Sequence, residues 1–232
     1  MPTLYLIPAP ISEQSLNHMP HVVHDTIRGL DYFIVEKVRT ARRFIRSISP
    51  DFDIDGSTFY ELDKRDHQHN DKEIREILSS GRNIGLMSEA GLPCIADPGN
   101  KIVDLARSYY YSIVPLTGPS SIFMALMASG LNGQQFTFHG YLPIKEPELI
   151  KKLKTIQGNL SKSNYTHIFI ETPYRNQKLY RALISKLPDH MKLCIAQEIS
   201  ALGEDIQTKT IKDWKRARDY NIGKVPCIFL LN

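Results

Sequence analysis

The segment SEAGLPCIADPG, residues 88–99, carries the strongest signal for the fold of this chain. An apolar run from Arg82 to Met87 precedes it, and a helical pattern over 99–108 follows it. Its twelve residues make a longer strand-to-helix connection than the usual length of about 2–6, and its small residues let a ligand approach the backbone closely. Because ligands of open α/β sheets bind beyond the carboxyl ends of the strands, we interpret the segment as a candidate binding loop. A plain connection is the alternative.

Strand and helix patterns alternate around this segment throughout the N-terminal half. Apolar runs predict strands at Leu4 to Ile7, Asp31 to Val35, 82–87 and Tyr111 to Leu116, with helical patterns at about 37–48, 70–80 and 99–108. Strands separated by helices predict βαβ units and a mainly parallel sheet.

The C-terminal half begins with a predicted apolar helix over Ser120 to Ser129. Further strands are predicted at Phe136 to Phe138, His167 to Ile170, Leu193 to Ala196 and Cys227 to Leu231, and the Lys-rich stretch 145–163 favours a solvated helix and a loop. A boundary near Pro115 to Pro119 divides the chain into an N-terminal α/β domain, 1–116, and a C-terminal α/β domain, 117–232. The predicted fold class is therefore α/β, with two domains.

Composition excludes several classes of protein. The 232 residues carry 29 Lys+Arg and 25 Asp+Glu, a net charge of +4, with 42% hydrophobic and 23% charged residues. This ordinary globular balance excludes a disordered tail or a fibrous repeat, and it permits RNA or phosphate partners without requiring them. Three widely spaced cysteines exclude a thiolate zinc cluster, so we expect no metal. No signal peptide and no membrane helix is predicted, so we expect a cytoplasmic protein.

Two further features could bind a phosphate or a carboxylate. The segment LTGPSS, 116–121, lies between a predicted strand and helix, so Ser120 or Ser121 could cap the helix and its free N–H groups could meet a ligand. A capped helix without a ligand is the alternative. Four arginines recur at helical spacing and share one face, which is either a grip for RNA phosphates or a solvated face: Arg39, Arg42, Arg43 and Arg46.

Metal and nucleotide motifs are weak in this sequence. The segment DHQHND, 66–71, could hold a metal but is better explained as a polar turn before a helix. The segment DFDIDG, 51–56, begins like a calcium loop, yet its twelfth position is Leu62 rather than a bidentate glutamate. The sequence has no G-x-G-x-x-G after the first strand, no P-loop and no H-E-x-x-H, so it lacks an ordinary dinucleotide fingerprint.

Taken in order, these segments resemble the tetrapyrrole methylase superfamily, and most closely the ribosomal RNA small-subunit methyltransferase I family. Residues 88–99 resemble its S-D-A-G-x-P-x-I-x-D-P-G, and Glu36 with Arg39-Thr40 resembles its E-D-T-R. In the N-terminal half, residues 3–11 resemble the family's opening strand and loop, and residues 67–70 resemble its H-x-H-N. Residues 118–120 resemble its G-P-S, 128–131 its A-S-G-L and 138–143 its F-x-G-F-L-P. Residues 171–175 resemble its E-x-P-H-R, and 198–200 resemble its R-E-[LI]-[ST]. The sequence departs from these patterns at Ser12, Glu13, Lys37, Glu89 and Tyr174. The resemblance thus implies a divergent member with a shorter C-terminus.

The resemblance implies two α/β domains of the tetrapyrrole methylase type with S-adenosyl-L-methionine in the cleft between them, usually in a homodimer. It implies methylation of a cytidine ribose 2′-OH in ribosomal RNA. The implied cofactor contacts are Pro8, Glu89, Ala90, Gly91, Ile95, Ser120, Ser121, Ile170, Ile199, Ser200 and Pro226. The candidate bases are Glu36, His67 and His69, and the candidate substrate-binding residues are Arg39, Arg42, Asn70 and Arg175. Alternatives are a methyltransferase of the same fold acting on a tetrapyrrole or another small molecule, and a non-catalytic binding protein that kept the fold.

Overall fold

The computed structural model describes residues 1–62, 67–161, 163–217 and 219–232, and the side chains of 67–71 lie outside the description. The chain forms two compact units, Met1–Ser120 and Ser121–Asn232. The predicted boundary after residue 116 stays a prediction.

The first unit is a parallel five-stranded sheet whose strands alternate with helices. Its strands are β1 Thr3–Ile7, β2 Tyr32–Val35, β3 Thr58–Glu61, β4 Ile84–Met87 and β5 Ser112–Pro115. Its helices are α1 His21–Arg28, α2 Val38–Ile48, α3 His67–Ser79 and α4 Asn100–Ser108, with a short 3-10 helix at Gln14–His18. The strand order is β3-β2-β4-β1-β5, and every pairing is parallel, so all carboxyl ends share one edge.

Apolar residues on both faces of this sheet explain why it is covered on both sides. All four residues of β4 are buried, as is typical of a central parallel strand. Ile7 belongs to a core cluster that includes Ile27 of α1 and Phe44 of α2. Leu4 belongs to a second cluster with residues of α3 and α4. The helices α1 and α2 therefore cover one face, and α3 and α4 cover the other.

The second unit is a mixed five-stranded sheet in the order β6-β7-β10-β8-β9. Its strands are β6 Phe136–Tyr141, β7 Thr166–Ile170, β8 Lys192–Gln197, β9 Asp205–Thr210 and β10 Cys227–Leu231. Its helices are α5 Ser121–Ser129, α6 Glu146–Leu160, α7 Asn176–Lys186 and α8 Ile211–Arg216. The β6–β7 pairing is parallel and the other three are antiparallel. The core includes the fully buried Trp214, whose indole Nε1 donates to the Leu193 carbonyl at 2.8 Å.

The predicted α/β class and the parallel sheet of the first half are confirmed. The sequence analysis missed α1, α7, α8 and the two strands β3 and β9. The strand β9 has the polar sequence DIQTKT and no fully buried residue, so an apolar run could not identify it. Within the described residues, no helix is long and apolar enough to cross a membrane, and no three histidine, cysteine or acidic residues are grouped to hold a metal ion.

Candidate functional site

Three loops meet at the carboxyl edge of the first unit, because β1 lies between β4 and β5. Ala9 and Gly91 pair through two backbone hydrogen bonds, with Ala9 N donating at 2.9 Å and Gly91 N donating at 3.0 Å. A Cβ on Gly118 would lie 2.2 Å from the Cβ of Pro8, so only glycine fits there. The loops after β1, β4 and β5 are therefore in direct contact.

Gly91 lies at the centre of this contact. Its φ of +74° is in the left-handed region that favours glycine. A Cβ there would lie 3.5 Å from Ile11 Cγ2 and 3.6 Å from the Pro119 carbonyl oxygen. The hydroxyl of Ser88 donates to the Ala90 carbonyl oxygen at 3.2 Å, which closes the turn before Gly91. The structure thus brings together the predicted cofactor residues Pro8, Glu89, Ala90 and Gly91.

The second half of the same loop is held in a strained conformation. Cys94 and Ala96 have φ of 70° and 63°, which is costly for residues that carry a Cβ. The Asp97 carboxylate accepts hydrogen bonds from Cys94 N at 2.9 Å and from Gly99 N at 2.7 Å. The side chain of Ile95, between the two strained residues, is 47% exposed. Asp97 therefore fixes a loop that presents an apolar side chain to solvent.

The thiol of Cys94 is partly buried in this loop. Burial, and then the nearby Asp97 charge, raise the pKa of its thiol to about 11. The thiol is therefore protonated at neutral pH, and the thiolate is the reactive form of cysteine.

An ion pair joins the loop after β2 to the loop after β4. Lys37 Nζ lies 2.8 Å from Glu89 Oε1, and the hydrogen bond and then the charge of Glu89 raise the pKa of Lys37. Glu61 Oε2 accepts a hydrogen bond from Val38 N at 2.8 Å, which satisfies a free donor in the first turn of α2. Two of the departures from the family pattern, Lys37 and Glu89, thus contact each other. The candidate base Glu36 is at the same edge, directly before Lys37.

The four arginines of α2 are not equivalent. Arg39, Arg43 and Arg46 are exposed, whereas Arg42 is half-buried. The guanidinium carbon of Arg42 lies 5.1 Å from the ring centroid of Phe59, and its Nε is buried without a hydrogen-bond partner among the described residues. Arg42 therefore packs on the first unit's sheet, while the other three face solvent.

Three of the predicted site residues are described only as part of a helix. The helix α3 begins at His67, so His67, His69 and Asn70 form its first turn. Their side chains lie outside the described residues. Their proposed roles as base and substrate contact stay predictions.

The predicted cofactor residues of the second unit share one edge of its sheet. Ile170 at the end of β7 pairs with Ile228, and Gln197 at the end of β8 pairs with Cys227. The ends of β7 and β8 therefore lie on either side of the start of β10, which Pro226 directly precedes.

A short strained turn follows β8 at this edge. Glu198 N donates to the Pro226 carbonyl oxygen at 3.0 Å, and Ser200 N donates to Glu204 Oε2 at 2.7 Å. Glu198 and Ser200 both have positive φ, of 46° and 63°, on either side of the buried Ile199. The structure thus brings Ile170, Ile199, Ser200 and Pro226 to the same edge. Ser120 is buried as the last residue of the first unit, and Ser121 begins α5.

Arg175 is held by the acid four residues before it. Its Nε donates to Glu171 Oε1 at 2.9 Å, and the Glu171 side chain is only 6% exposed. The same Glu171 oxygen accepts from Thr172 N at 2.7 Å. The Arg175 guanidinium therefore has a fixed position. It is already paired with one carboxylate, that of Glu171.

Sequence reasoning missed the features that depend on three-dimensional contact. Neither the Lys37–Glu89 pair nor the Glu61 contact to α2 has a local pattern, because each joins residues far apart in the chain. The left-handed Cys94 and Ala96 were missed for another reason: neither residue type favours positive φ. Within residues 88–99, the prolines and Asp97 were the sequence features that could have indicated an unusual loop.

Comparisons with known proteins identify the family. No family model matches the chain. It is 32% identical over 210 residues to "Ribosomal RNA small subunit methyltransferase I" of Vibrio cholerae, a match that covers 89% of this chain and 68% of that protein. It is 32% identical over 213 residues to the protein of the same name from Bacillus subtilis, covering 92% of this chain and 69% of that protein.

A solved structure supports the fold independently. The crystal structure of diphthine synthase matches 99% of this chain and 89% of its own, with a TM-score of 0.70 at 15% sequence identity. At this identity the likeness shows the fold alone, which is that of the tetrapyrrole methylases. The sequence relatives establish that the chain belongs to the ribosomal RNA small subunit methyltransferase I family and is a methyltransferase.

Proposed function

We propose that this chain transfers a methyl group from S-adenosyl-L-methionine to a ribose 2′-oxygen of small-subunit ribosomal RNA. The observation that carries the proposal is the meeting of three loops around Gly91, at the carboxyl edge of a parallel sheet, in a chain of this family. The names of the chain's relatives give small-subunit ribosomal RNA as their substrate.

The residues at this edge suit a ligand with an apolar ring and a polar chain. Ile95 offers an exposed apolar side chain close in sequence to Gly91, which is buried at the meeting point of the loops and pairs with Ala9. Glu89 is half-buried beside them and can accept hydrogen bonds. When bound, S-adenosyl-L-methionine supplies a methyl group already activated on a sulfonium. The chain's own task is therefore to orient donor and acceptor and to exclude water.

The remaining cofactor contacts are part of the same proposal. In the second unit they are Ile170, Ile199, Ser200 and Pro226, at the edge formed by β7, β8 and β10. Ser120 and Ser121 are added where the two units join in sequence. The position of the donor between the two domains stays a prediction.

The acceptor requires phosphate contacts and a base. The exposed Arg39, with Arg42 and the fixed Arg175, is proposed to neutralise phosphates, and Asn70 to contact the nucleotide. Glu36, His67 and His69 are the proposed bases that take the 2′-hydroxyl proton as its oxygen attacks the methyl carbon.

Two further proposals concern the setting of the enzyme. We propose a homodimer, and activity in the cytoplasm, where ribosomal RNA is found. The run Tyr109 to Tyr111 offers one exposed aromatic side chain for an interface, since Tyr110 is 82% exposed while Tyr111 is buried and donates to the Leu78 carbonyl oxygen.

Calorimetry with S-adenosyl-L-methionine tests the donor site. Gly91→Val adds a branched side chain at the meeting point of the loops and also strains a backbone at positive φ. Gly81→Val is the matched control, because Gly81 has φ of +65° and no atom within 4 Å of an added Cβ. We expect the wild type and Gly81→Val to bind the donor and Gly91→Val to lose binding by tenfold or more. A wild type that shows no heat at millimolar donor contradicts the donor proposal.

A further inference from the structure

A groove in the second unit shares only Arg175 with the residues to which a role has been proposed above. It lies between the start of α6 and the face of α7, with a cavity of about 400 Å³. Its floor is apolar and includes the buried Leu149 and Leu179, and Pro143, Ile144 and Ala182 add further apolar lining. Ile144 is 61% exposed, so an occupant would remove apolar surface from water there.

The rim of this groove is basic. Arg175, Lys178, Arg181 and Lys186 line it, against Glu146 and Glu171. Arg175 pairs with Glu171, and Lys186 lies 3.6 Å from Glu146. Within the described ranges, Lys178 and Arg181 have no carboxylate partner. Being three residues apart on α7, they are neighbours on the helix surface and add two uncompensated positive charges.

The groove adjoins the sheet edge that holds the proposed donor residues of this unit. Glu171 and Arg175, which line it, belong to the connection that leaves β7 directly after Ile170. A nucleotide bound in the groove would therefore lie beside that edge.

We propose that this groove binds a single-stranded nucleotide of the RNA substrate, next to the nucleotide that is methylated. The base covers the apolar floor, and Lys178 and Arg181 bind the flanking phosphates. The inference rests on the proposed RNA substrate. A volume of about 400 Å³ is that of a small-ligand pocket and suits one nucleotide, whereas an acidic amphipathic helix needs a long groove. Proteins usually recognise single-stranded RNA by contacting its unstacked bases and accessible phosphates.

A pair of matched double variants tests the role of charge. Lys178→Ala/Arg181→Ala removes the two unpaired cations, and Lys151→Ala/Lys154→Ala removes two exposed lysines of α6 that do not line the groove. Binding to small ribosomal subunits from cells lacking this gene, and to a single-stranded oligoribonucleotide, is measured across a salt series. We expect the groove variant to lose about tenfold or more in affinity near 0.1 M salt, and about 1.4 units of log–log salt slope on the single strand. The control should lose much less.

A neutral variant separates occupancy of the groove from general electrostatics. Ser185→Trp fills the groove from the exposed face of α7 without changing charge, and it should weaken RNA binding while donor affinity and melting temperature stay those of the wild type. Equal losses in the groove and control variants, or unchanged binding by Ser185→Trp, overturn the proposal. If the wild type itself binds no RNA, the proposed function fails and the inference with it, a result distinct from a failure of the groove alone.

Discussion

At the scale of single residues, Gly118 shows how closely the first unit's loops pack. Gly118→Ala would place a Cβ 2.2 Å from Pro8 Cβ and 2.4 Å from Pro8 Cγ, and the rigid proline ring cannot move aside without its backbone. We expect the substitution to lower the free energy of unfolding by about 1–3 kcal/mol. Chemical denaturation measures this, with Gly133→Ala as the control, because an added Cβ there meets no atom within 4 Å. Equal stabilities of the two variants would be inconsistent with the packing described.

A second residue-scale prediction concerns a histidine pair in the second unit. His139 Nε2 and His167 Nδ1 lie 2.7 Å apart, and within the described part of the chain the buried His167 Nε2 has no partner. Burial, followed by the charges of Lys152 and His167, lowers the pKa of His139 from 6.5 to about 4. Burial and Lys152 also lower the pKa of His167.

This pair makes the stability of the protein depend on pH. The unfolded chain binds protons near pH 6.5 that the folded chain does not, so stability falls as the pH drops from about 6.5 toward about 4. His139→Phe should flatten this slope in denaturation curves measured at pH 7, 6 and 5. His21→Gln, at an exposed position, is the control substitution. An unaltered slope in His139→Phe argues against the pair as its source.

At the scale of elements, the helix α2 combines a packing role with a proposed RNA role. Arg42 packs its guanidinium on Phe59, while Arg43 is exposed. We expect Arg42→Ala to lower the free energy of unfolding by about 0.5–2 kcal/mol and Arg43→Ala to change it by less than about 0.5 kcal/mol. Thermal and chemical denaturation check this. A loss of stability in Arg43→Ala as large as in Arg42→Ala contradicts the division of the helix face.

The elements that could be predicted from the sequence are those with a clear apolar pattern. The strands β1, β2, β4 and β5 and the helices α2 to α4 were predictable because buried strands and amphipathic helices have distinct periods. The polar edge strand β9 and the strand β3, with no buried residue, give no such signal. The candidate loop could be located from its length and prolines, but its pairing with Ala9 and the Lys37–Glu89 contact depend on the strand order.

At the scale of the whole molecule, the proposed homodimer can be measured directly. Sedimentation equilibrium over a range of concentrations should give twice the 26.5 kDa mass of the chain. Tyr110→Glu places a charge on an exposed aromatic residue and is expected to shift the equilibrium toward the monomer if this residue lies in the interface. A monomer mass for the wild type at every concentration refutes the dimer.

Methyl transfer to RNA tests the central claim most directly. Small ribosomal subunits from cells lacking this gene are incubated with the protein and S-adenosyl-L-methionine labelled in its methyl group, and the product is digested with ribonuclease or with protease. The structure and the family predict label that ribonuclease releases and protease does not, located on a ribose 2′-oxygen, and lost in Gly91→Val but not in Gly81→Val. Label that ribonuclease does not release, or no transfer although the donor binds, would contradict the claim.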